Sequence, residues 1–146
     1  VIFGSGGVGL SMIQAAKLRG AFPIIAVDQF EGRLGLAKKC GADHCILSSE
    51  LNSVINQIES LTNNNLDVFV DNTGMPKIIE AGYSLLKKTG KIILVGVPRH
   101  DKTINIHSLP MHFGKQMHGS EGGSCDPTQD IPKLVNLLEN DKYLFR

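Results

Sequence analysis

The sequence lacks an excess of charge, a basic cluster and a long apolar run, and each absence excludes a class of protein. Its 15 Lys and Arg residues against 14 Asp and Glu residues give a formal net charge of +1. Lys and Arg form no cluster interleaved with aromatic residues, which argues against nucleic acid as a partner. No apolar stretch approaches the roughly 20 residues that cross a bilayer, and the chain opens in a strand-like segment rather than a signal peptide. We therefore expect a cytoplasmic protein without membrane attachment.

Cysteine is equally scarce. Cys40, Cys45 and Cys125 are odd in number and show neither Cys-x-x-Cys nor paired metal spacing, which argues against a disulfide framework. Of the five histidines, only His107 and His112 have a spacing that zinc sites use, and no cysteine pair precedes them to complete a tetrahedral set. We predict no metal site in this chain.

The run Gly4-Ser5-Gly6-Gly7-Val8-Gly9 is the most informative feature that the sequence does contain. It follows an apolar strand-like segment, opens a helix-like stretch, and precedes a second apolar run that ends in Asp28. Gly4 allows a sharp turn, Gly6 lets the backbone approach a pyrophosphate, and Gly9 lets the helix pack closely on the sheet. Asp28 lies about 20 residues beyond Gly9, where a carboxylate binds ribose hydroxyls. The pattern predicts a dinucleotide-binding βαβ unit.

Strand and helix patterns alternate along the whole chain. Short apolar runs predict strands over 1–3, 23–27, 44–47, 66–70, 91–97 and 117–120. Helical periodicity predicts helices over 10–18, 33–39, 51–61, 76–86 and 127–138, with Gly90 ending the fourth. This alternation is typical of an α/β fold, and we predict a Rossmann-type, doubly wound parallel sheet of about six strands.

The chain length fits one domain, over residues 1–146. Val1 already falls inside the first predicted strand, and residues 142–146 bring no capping element. We interpret the chain as a dinucleotide-binding domain taken from a longer polypeptide.

Several segments of the sequence, in order along essentially the whole chain, match one known pattern. The most specific are Lys38-Lys39-Cys40-Gly41-Ala42-Asp43, after the second helix, and Val95-Gly96-Val97-Pro98, at the end of the fifth strand. The other matching segments are Val1-Ile2-Phe3-Gly4-Ser5-Gly6-Gly7-Val8-Gly9-Leu10, Ile25-Ala26-Val27-Asp28, Asp67-Val68-Phe69-Val70-Asp71 and Ile93-Leu94. Together these segments resemble the cofactor domain of zinc-containing medium-chain alcohol dehydrogenases.

This resemblance implies a set of cofactor-binding residues and no catalytic residue in this chain. The implied ligand is NAD rather than NADP, because a carboxylate at Asp28 repels the extra phosphate of NADP. Arg33 corresponds to a basic residue near the ribose, and Ser120-Glu121 departs from the apolar residues usual in its segment. The implied contacts are Gly4, Gly6, Gly7, Val8, Gly9, Asp28, Arg33, Asn72, Thr73, Val95, Gly96, Val97, Ser120 and Gly122.

The resemblance also implies an NAD-dependent oxidoreductase that transfers hydride between a small alcohol or carbonyl substrate and NAD. The catalytic zinc would belong to another domain of the parent protein, so this chain alone is expected to be inactive. A homodimer joined through the last strand is a further implication. A zinc-free quinone or enoyl reductase and a regulatory nucleotide-binding module remain alternatives.

Three other residues have structural interpretations. Asp71 ends the fourth strand and reads as a hydrogen-bonded structural or cofactor-side acid. Gly74 and Gly96 fit turns at strand ends as well as they fit a cofactor contact.

Overall fold

The computed structural model describes residues 1–140, 142 and 143, which fold into six strands and five α-helices. The strands are β1 (Ile2–Phe3), β2 (Ile25–Asp28), β3 (His44–Leu47), β4 (Leu66–Asp71), β5 (Leu86–Leu94) and β6 (Gln116–Gly119). The helices are α1 (Gly7–Leu18), α2 (Glu31–Lys39), α3 (Leu51–Thr62), α4 (Pro76–Leu85) and α5 (Pro127–Glu139). Short 3₁₀ helices cover Leu109–Phe113 and Gly122–Ser124.

The six strands form one sheet in the order β3-β2-β1-β4-β5-β6, and every neighbouring pair is parallel. The order reverses between β1 and β4, because the chain returns to the centre of the sheet after β3. A crevice at such a reversal is the usual ligand site of an open α/β sheet. The predicted doubly wound sheet of six parallel strands is confirmed.

Alternate residues of the central strands point to opposite faces of the sheet and enter two separate cores. On β2, Ile25 and Val27 join the core that also contains Val54 and Ile58 of α3. Ala26 lies in the other core, which is built with residues of α1 and α2. A strand buried on both faces has a continuous apolar sequence, which is why β2 could be recognised without alternation.

The sequence-based boundaries fail at the junction of α4 and β5. The predicted helix over 76–86 ends one residue early, at Leu85, and the next five residues are extended. Leu86 pairs with Leu66 of β4, and Gly90 lies inside β5 rather than ending a helix. A Cβ on Gly90 would lie 2.9 Å from the Leu66 carbonyl oxygen. The start of β5 therefore pairs with the open edge of β4, although its local sequence pattern favours a helix.

The other end of this strand also differs from the prediction. β5 stops at Leu94, so Val95, Gly96 and Val97 lie in the loop that follows it rather than in the predicted strand over 91–97. Val95 and Gly96 both donate their backbone N–H groups to the Asp71 carbonyl oxygen, at 2.9 and 2.8 Å. Because both N–H groups bind the same carbonyl oxygen, the chain turns out of the sheet after Leu94.

Candidate functional site

The glycine-rich turn joins β1 to α1 at the centre of the sheet. Gly4 has φ +96°, a left-handed conformation that glycine adopts readily, and its N–H donates to the Val27 carbonyl oxygen at 2.8 Å. A Cβ on Gly9 would lie 2.0 Å from the Gly4 carbonyl oxygen. The Asn72 side-chain Nδ2 donates to that same oxygen at 3.0 Å. Gly4 and Gly9 are therefore required by the backbone geometry itself.

Gly6 and Gly7 differ from their neighbours because the space in front of them is open. A Cβ built on either residue would meet nothing within 4 Å. Gly6 is the N-cap of α1 and has no side chain to occupy the first amides of the helix. Those amides have no carbonyl partner within a helix, and together with the helix dipole they favour an anion.

Asp28 ends β2 and is buried, with 4% of its surface exposed. Its carboxylate accepts from the Ser5 N–H at 2.7 Å (Oδ2) and from the Phe30 N–H at 3.0 Å (Oδ1). The Arg33 guanidinium Nη1 lies 3.6 Å from the same Oδ2. The Asp28 carboxylate is thus tied directly to the glycine turn. The Ser5 hydroxyl is fully buried, which is incompatible with service as an accessible nucleophile.

Asp71 organises the opposite wall, at the end of β4. Its buried carboxylate accepts from the Thr73 N–H at 3.0 Å, from the Thr73 hydroxyl at 2.6 Å and from the Gly74 N–H at 2.9 Å. These bonds hold the loop that carries Asn72 and Thr73 against the glycine turn. The structural interpretation of Asp71 is supported by this arrangement.

These walls enclose a cleft of about 620 Å³ at the carboxyl ends of the central strands. Nine of the residues implied by the resemblance line it: Gly4, Gly6, Gly7, Val8, Gly9, Asp28, Arg33, Asn72 and Thr73. The cleft also has lining residues that the sequence analysis missed: Phe3, Gln29, Ser48, Leu51, Met75, Lys77 and Ile78. Ser48 follows β3 and Met75 precedes α4, so the rule that ligands bind at strand ends would have pointed to them.

The remaining five implied residues do not line this cleft. Gly96 packs against the loop after β4, since a Cβ on it would lie 2.3 Å from the Gly74 nitrogen. The side chain of Val97 is 88% exposed. Ser120 donates its N–H to the Leu94 carbonyl oxygen at 2.9 Å, and Gly122 begins a 3₁₀ helix. Because the N–H groups of Val95 and Gly96 are used by Asp71, these two residues can offer a ligand only their carbonyl groups and the Val95 side chain.

Comparison with known proteins agrees with this geometry. The sequence model of a family described as "Zinc-binding dehydrogenase" matches residues 7–140. The chain belongs to this family. The earlier resemblance is therefore confirmed at the level of the family.

Members of the zinc-binding dehydrogenase family resemble the chain over nearly all of its length. It is 34% identical to alcohol dehydrogenase class-2 isozyme 2 of Oryctolagus cuniculus over 97% of this chain and 38% of that protein. It is 35% identical to alcohol dehydrogenase 1 of Pisum sativum over 98% of this chain and 40% of that protein. The crystal structure of benzyl alcohol dehydrogenase from Acinetobacter calcoaceticus superposes with a TM-score of 0.89 at 38% identity, over 97% of this chain and 39% of that chain. The chain thus spans about two fifths of these relatives.

Despite the family's description, the described part of this chain contains no group of three His, Cys, Asp or Glu residues that could hold a metal ion. Burial raises the pKa of the Cys40 and Cys45 thiols above the usual value, and slight desolvation together with the nearby Asp130 carboxylate raises the pKa of the exposed Cys125 thiol. Within residues 1–140, 142 and 143, no helix is long and apolar enough to span a membrane.

Proposed function

We propose that residues 1–146 form the NAD-binding domain of a zinc-dependent alcohol or polyol dehydrogenase. The observation that supports this most is the buried Asp28 carboxylate, held at the end of β2 by the Ser5 N–H of the glycine turn. An acid in this position accepts hydrogen bonds from the ribose hydroxyls of a dinucleotide whose pyrophosphate lies at the start of α1, the helix after the glycine turn. The glycine turn, which contacts the pyrophosphate in this proposal, and Asp28, which contacts the ribose, are joined by the Ser5–Asp28 hydrogen bond.

The fit to a dinucleotide rests on backbone as much as on side chains. Gly6 and Gly7 leave open space, and a side chain at either position would intrude on a pyrophosphate approaching the first turn of α1. In this proposal the amides of Gly6, Gly7 and Val8 bind the pyrophosphate, and the α1 dipole adds to the attraction. Nicotinamide, when bound, supplies the hydride chemistry of the reaction.

The cleft favours NAD over NADP in this proposal. NADP carries a phosphate on the ribose 2′ oxygen, which would lie against the Asp28 carboxylate. Arg33 lies 3.6 Å from that carboxylate and so offsets part of its charge. We assign the ribose contact to Asp28 and Arg33, and the rest of the adenosine half to Asn72 and Thr73.

The nicotinamide half is assigned to the loops after β5 and β6. Val95, Gly96 and Val97 lie directly beyond β5, and Ser120 and Gly122 lie beyond β6. Both loops leave the same edge of the parallel sheet as the glycine turn, so one extended ligand can span from Asp28 to them. The backbone carbonyl groups, the Val95 side chain and the Ser120 hydroxyl are among the contacts that these residues can offer.

The alcohol or carbonyl substrate and the catalytic zinc are assigned to the part of the parent protein outside this chain. The described residues provide no metal-binding group, and the cleft lining contains no acid beyond Asp28, which the cofactor occupies in this proposal. We therefore expect the isolated chain to bind NAD and to turn over no alcohol. Zinc would supply Lewis-acid stabilisation of an alkoxide in the complete enzyme.

Calorimetric titration with NAD and NADP tests the proposal, using wild type, Asp28→Asn and the control Asp101→Asn. Asp101 is an exposed acid outside the cleft, so its variant should bind like wild type. Wild type should bind NAD more tightly than NADP. Asp28→Asn should weaken NAD binding about 10- to 100-fold, since hydrogen bonds to a charged group contribute about 1.5–3 kcal/mol, and should narrow the gap to NADP. Tighter binding of NADP by wild type, or unchanged NAD binding by Asp28→Asn, would contradict it.

We also propose that two copies pair along β6. This strand lies at the edge of the sheet, and three of its four residues are exposed. An edge strand presents a row of N–H and C=O groups that can pair with the same strand of another copy. Sedimentation of the purified chain over a wide concentration range should show a monomer–dimer equilibrium, and a monomer throughout would argue against the pairing.

A cytoplasmic location completes the proposal. Cys40, Cys45 and Cys125 are all free thiols, which suits a reducing compartment better than a secreted protein. Microscopy of the tagged protein in its own cells would test it.

A further inference from the structure

The Phe30 ring lies beneath the Arg33 guanidinium at the ribose end of the cleft. The guanidinium carbon is 4.7 Å from the ring centroid, a distance typical of a cation–π contact. Phe30 is the N-cap of α2 and Arg33 is three residues further on, so both side chains lie on the same face of the first helical turn. Both are about half exposed.

Helix stability does not account for this arrangement. A cation in the first turn of a helix is disfavoured by the helix dipole, and Arg33 lies in the first turn of α2. The Phe30 ring is half exposed, so packing in the hydrophobic core does not explain its position either. The two groups that hold Arg33 in place are the Phe30 ring and the Asp28 carboxylate, and both Arg33 and Asp28 line the cleft.

We propose that Phe30 is a positioning residue that holds Arg33 over the ribose site and thereby sets the affinity for NAD. This inference rests on the proposed function. The backbone N–H of Phe30 fixes one oxygen of Asp28, while its ring fixes the cation beside the other oxygen. Without the ring, Arg33 retains its charge but samples many rotamers, and ordering it costs part of the binding free energy.

Phe113 offers a matched control on the same chain. Its ring is similarly exposed and lies 5.7 Å from the Lys88 ammonium, but Lys88 does not line the cleft, whereas Arg33 does. Phe30→Leu and Phe113→Leu thus each remove one exposed cation–π contact. Only the first removes a contact beside Asp28. Phe30→Tyr keeps an aromatic face and should behave as wild type.

The test is calorimetric titration of NAD into wild type, Phe30→Leu, Phe30→Tyr, Phe113→Leu, Arg33→Met and the double variant Phe30→Leu/Arg33→Met. Phe30→Leu should weaken binding about 2- to 5-fold, as expected for an exposed cation–π contact. The double variant should bind like Arg33→Met alone, because a ring that acts through Arg33 has nothing left to position.

A second readout does not depend on binding. In ligand-free wild type and Phe30→Tyr, the ring current should shift the Arg33 side-chain proton resonances upfield relative to Phe30→Leu. Urea midpoints of Phe30→Leu and Phe113→Leu should match, which separates positioning from a loss of stability.

The outcomes distinguish this inference from the proposed function. If wild type binds NAD but Phe30→Leu binds equally well, or the losses from Phe30→Leu and Arg33→Met multiply, or Phe113→Leu gives the same loss, only the role of Phe30 is refuted. Absence of the ring-current shift also refutes it. If wild type fails to bind NAD, both proposals are refuted.

Discussion

Replacement of Gly9 by alanine provides the sharpest test of how the glycine turn is built. The new Cβ would lie 2.0 Å from the Gly4 carbonyl oxygen and 3.0 Å from the Gly4 carbonyl carbon, both backbone atoms. To relieve this clash, α1 must move away from the end of β1. Such overpacking typically lowers the free energy of unfolding by about 1–3 kcal/mol. The gain from replacing a helical glycine by alanine, about 0.5–1 kcal/mol, offsets only part of that cost.

Urea unfolding of Gly9→Ala should therefore show a free energy of unfolding lower by about 1–2 kcal/mol, and the melting temperature should fall by roughly 3–8 °C for a domain of this size. Gly7→Ala is the matched control. A Cβ at Gly7 meets nothing within 4 Å, so its stability should equal or slightly exceed that of wild type. Under the proposed function, Gly7→Ala should nevertheless weaken NAD binding. If Gly9→Ala unfolds at the same urea concentration as wild type with an unchanged slope, the close-approach argument is wrong.

Three further predictions concern buried and partly buried charges. Asp71→Ala should lower the free energy of unfolding by about 2–4 kcal/mol in urea titrations, because it leaves the donors of the loop after β4 without their acceptor. Burial lowers the pKa of Lys115. The stability of wild type relative to Lys115→Met should therefore rise as the pH increases from that lowered pKa towards 10.5. A difference between their urea midpoints that stays constant over this pH range would contradict this. The Ile24 N–H lowers the pKa of Asp43 below 3.8, so its contribution is complete above pH 3.8 and is lost as the pH falls through the folded-state value. Asp43→Asn should therefore flatten the acid limb of a stability–pH curve.

Local patterns were sufficient for most of the fold. β3 was predicted at its observed bounds, His44–Leu47, because a short apolar run between a glycine-terminated helix and a polar turn is typical of a strand. Pro76 marked the start of α4, since proline in the first turn needs no N–H partner. The failure at Leu86 has a tertiary cause. Its side chain continues a helical period, yet the free edge of β4 offers backbone partners that local propensity does not register.

The candidate site likewise contains residues that local sequence patterns predict and residues that they do not. Gly4 and Gly9 could be identified from spacing, because the requirement for glycine is a property of the turn. The cleft residue Lys77 escaped notice because it has no distinctive neighbourhood in the sequence, whereas Ser48 directly follows β3 and the strand-end rule would have found it. The use of the Gly96 N–H by Asp71 could not be foreseen either, because Asp71 ends β4 whereas Gly96 lies in the loop after β5.

By itself the sequence determined the alternation of strands and helices, the position of the glycine turn and the acid that ends β2. These depend on periodicity, backbone freedom and short spacings, which act over a few residues. Only the tertiary structure decided that the Asp28 carboxylate faces Ser5, 23 positions away, and that Asn72 binds the Gly4 carbonyl across 68 positions. Such contacts form because parallel strands distant in sequence bring their carboxyl ends to one edge of the sheet, and no local pattern encodes which side chains meet there.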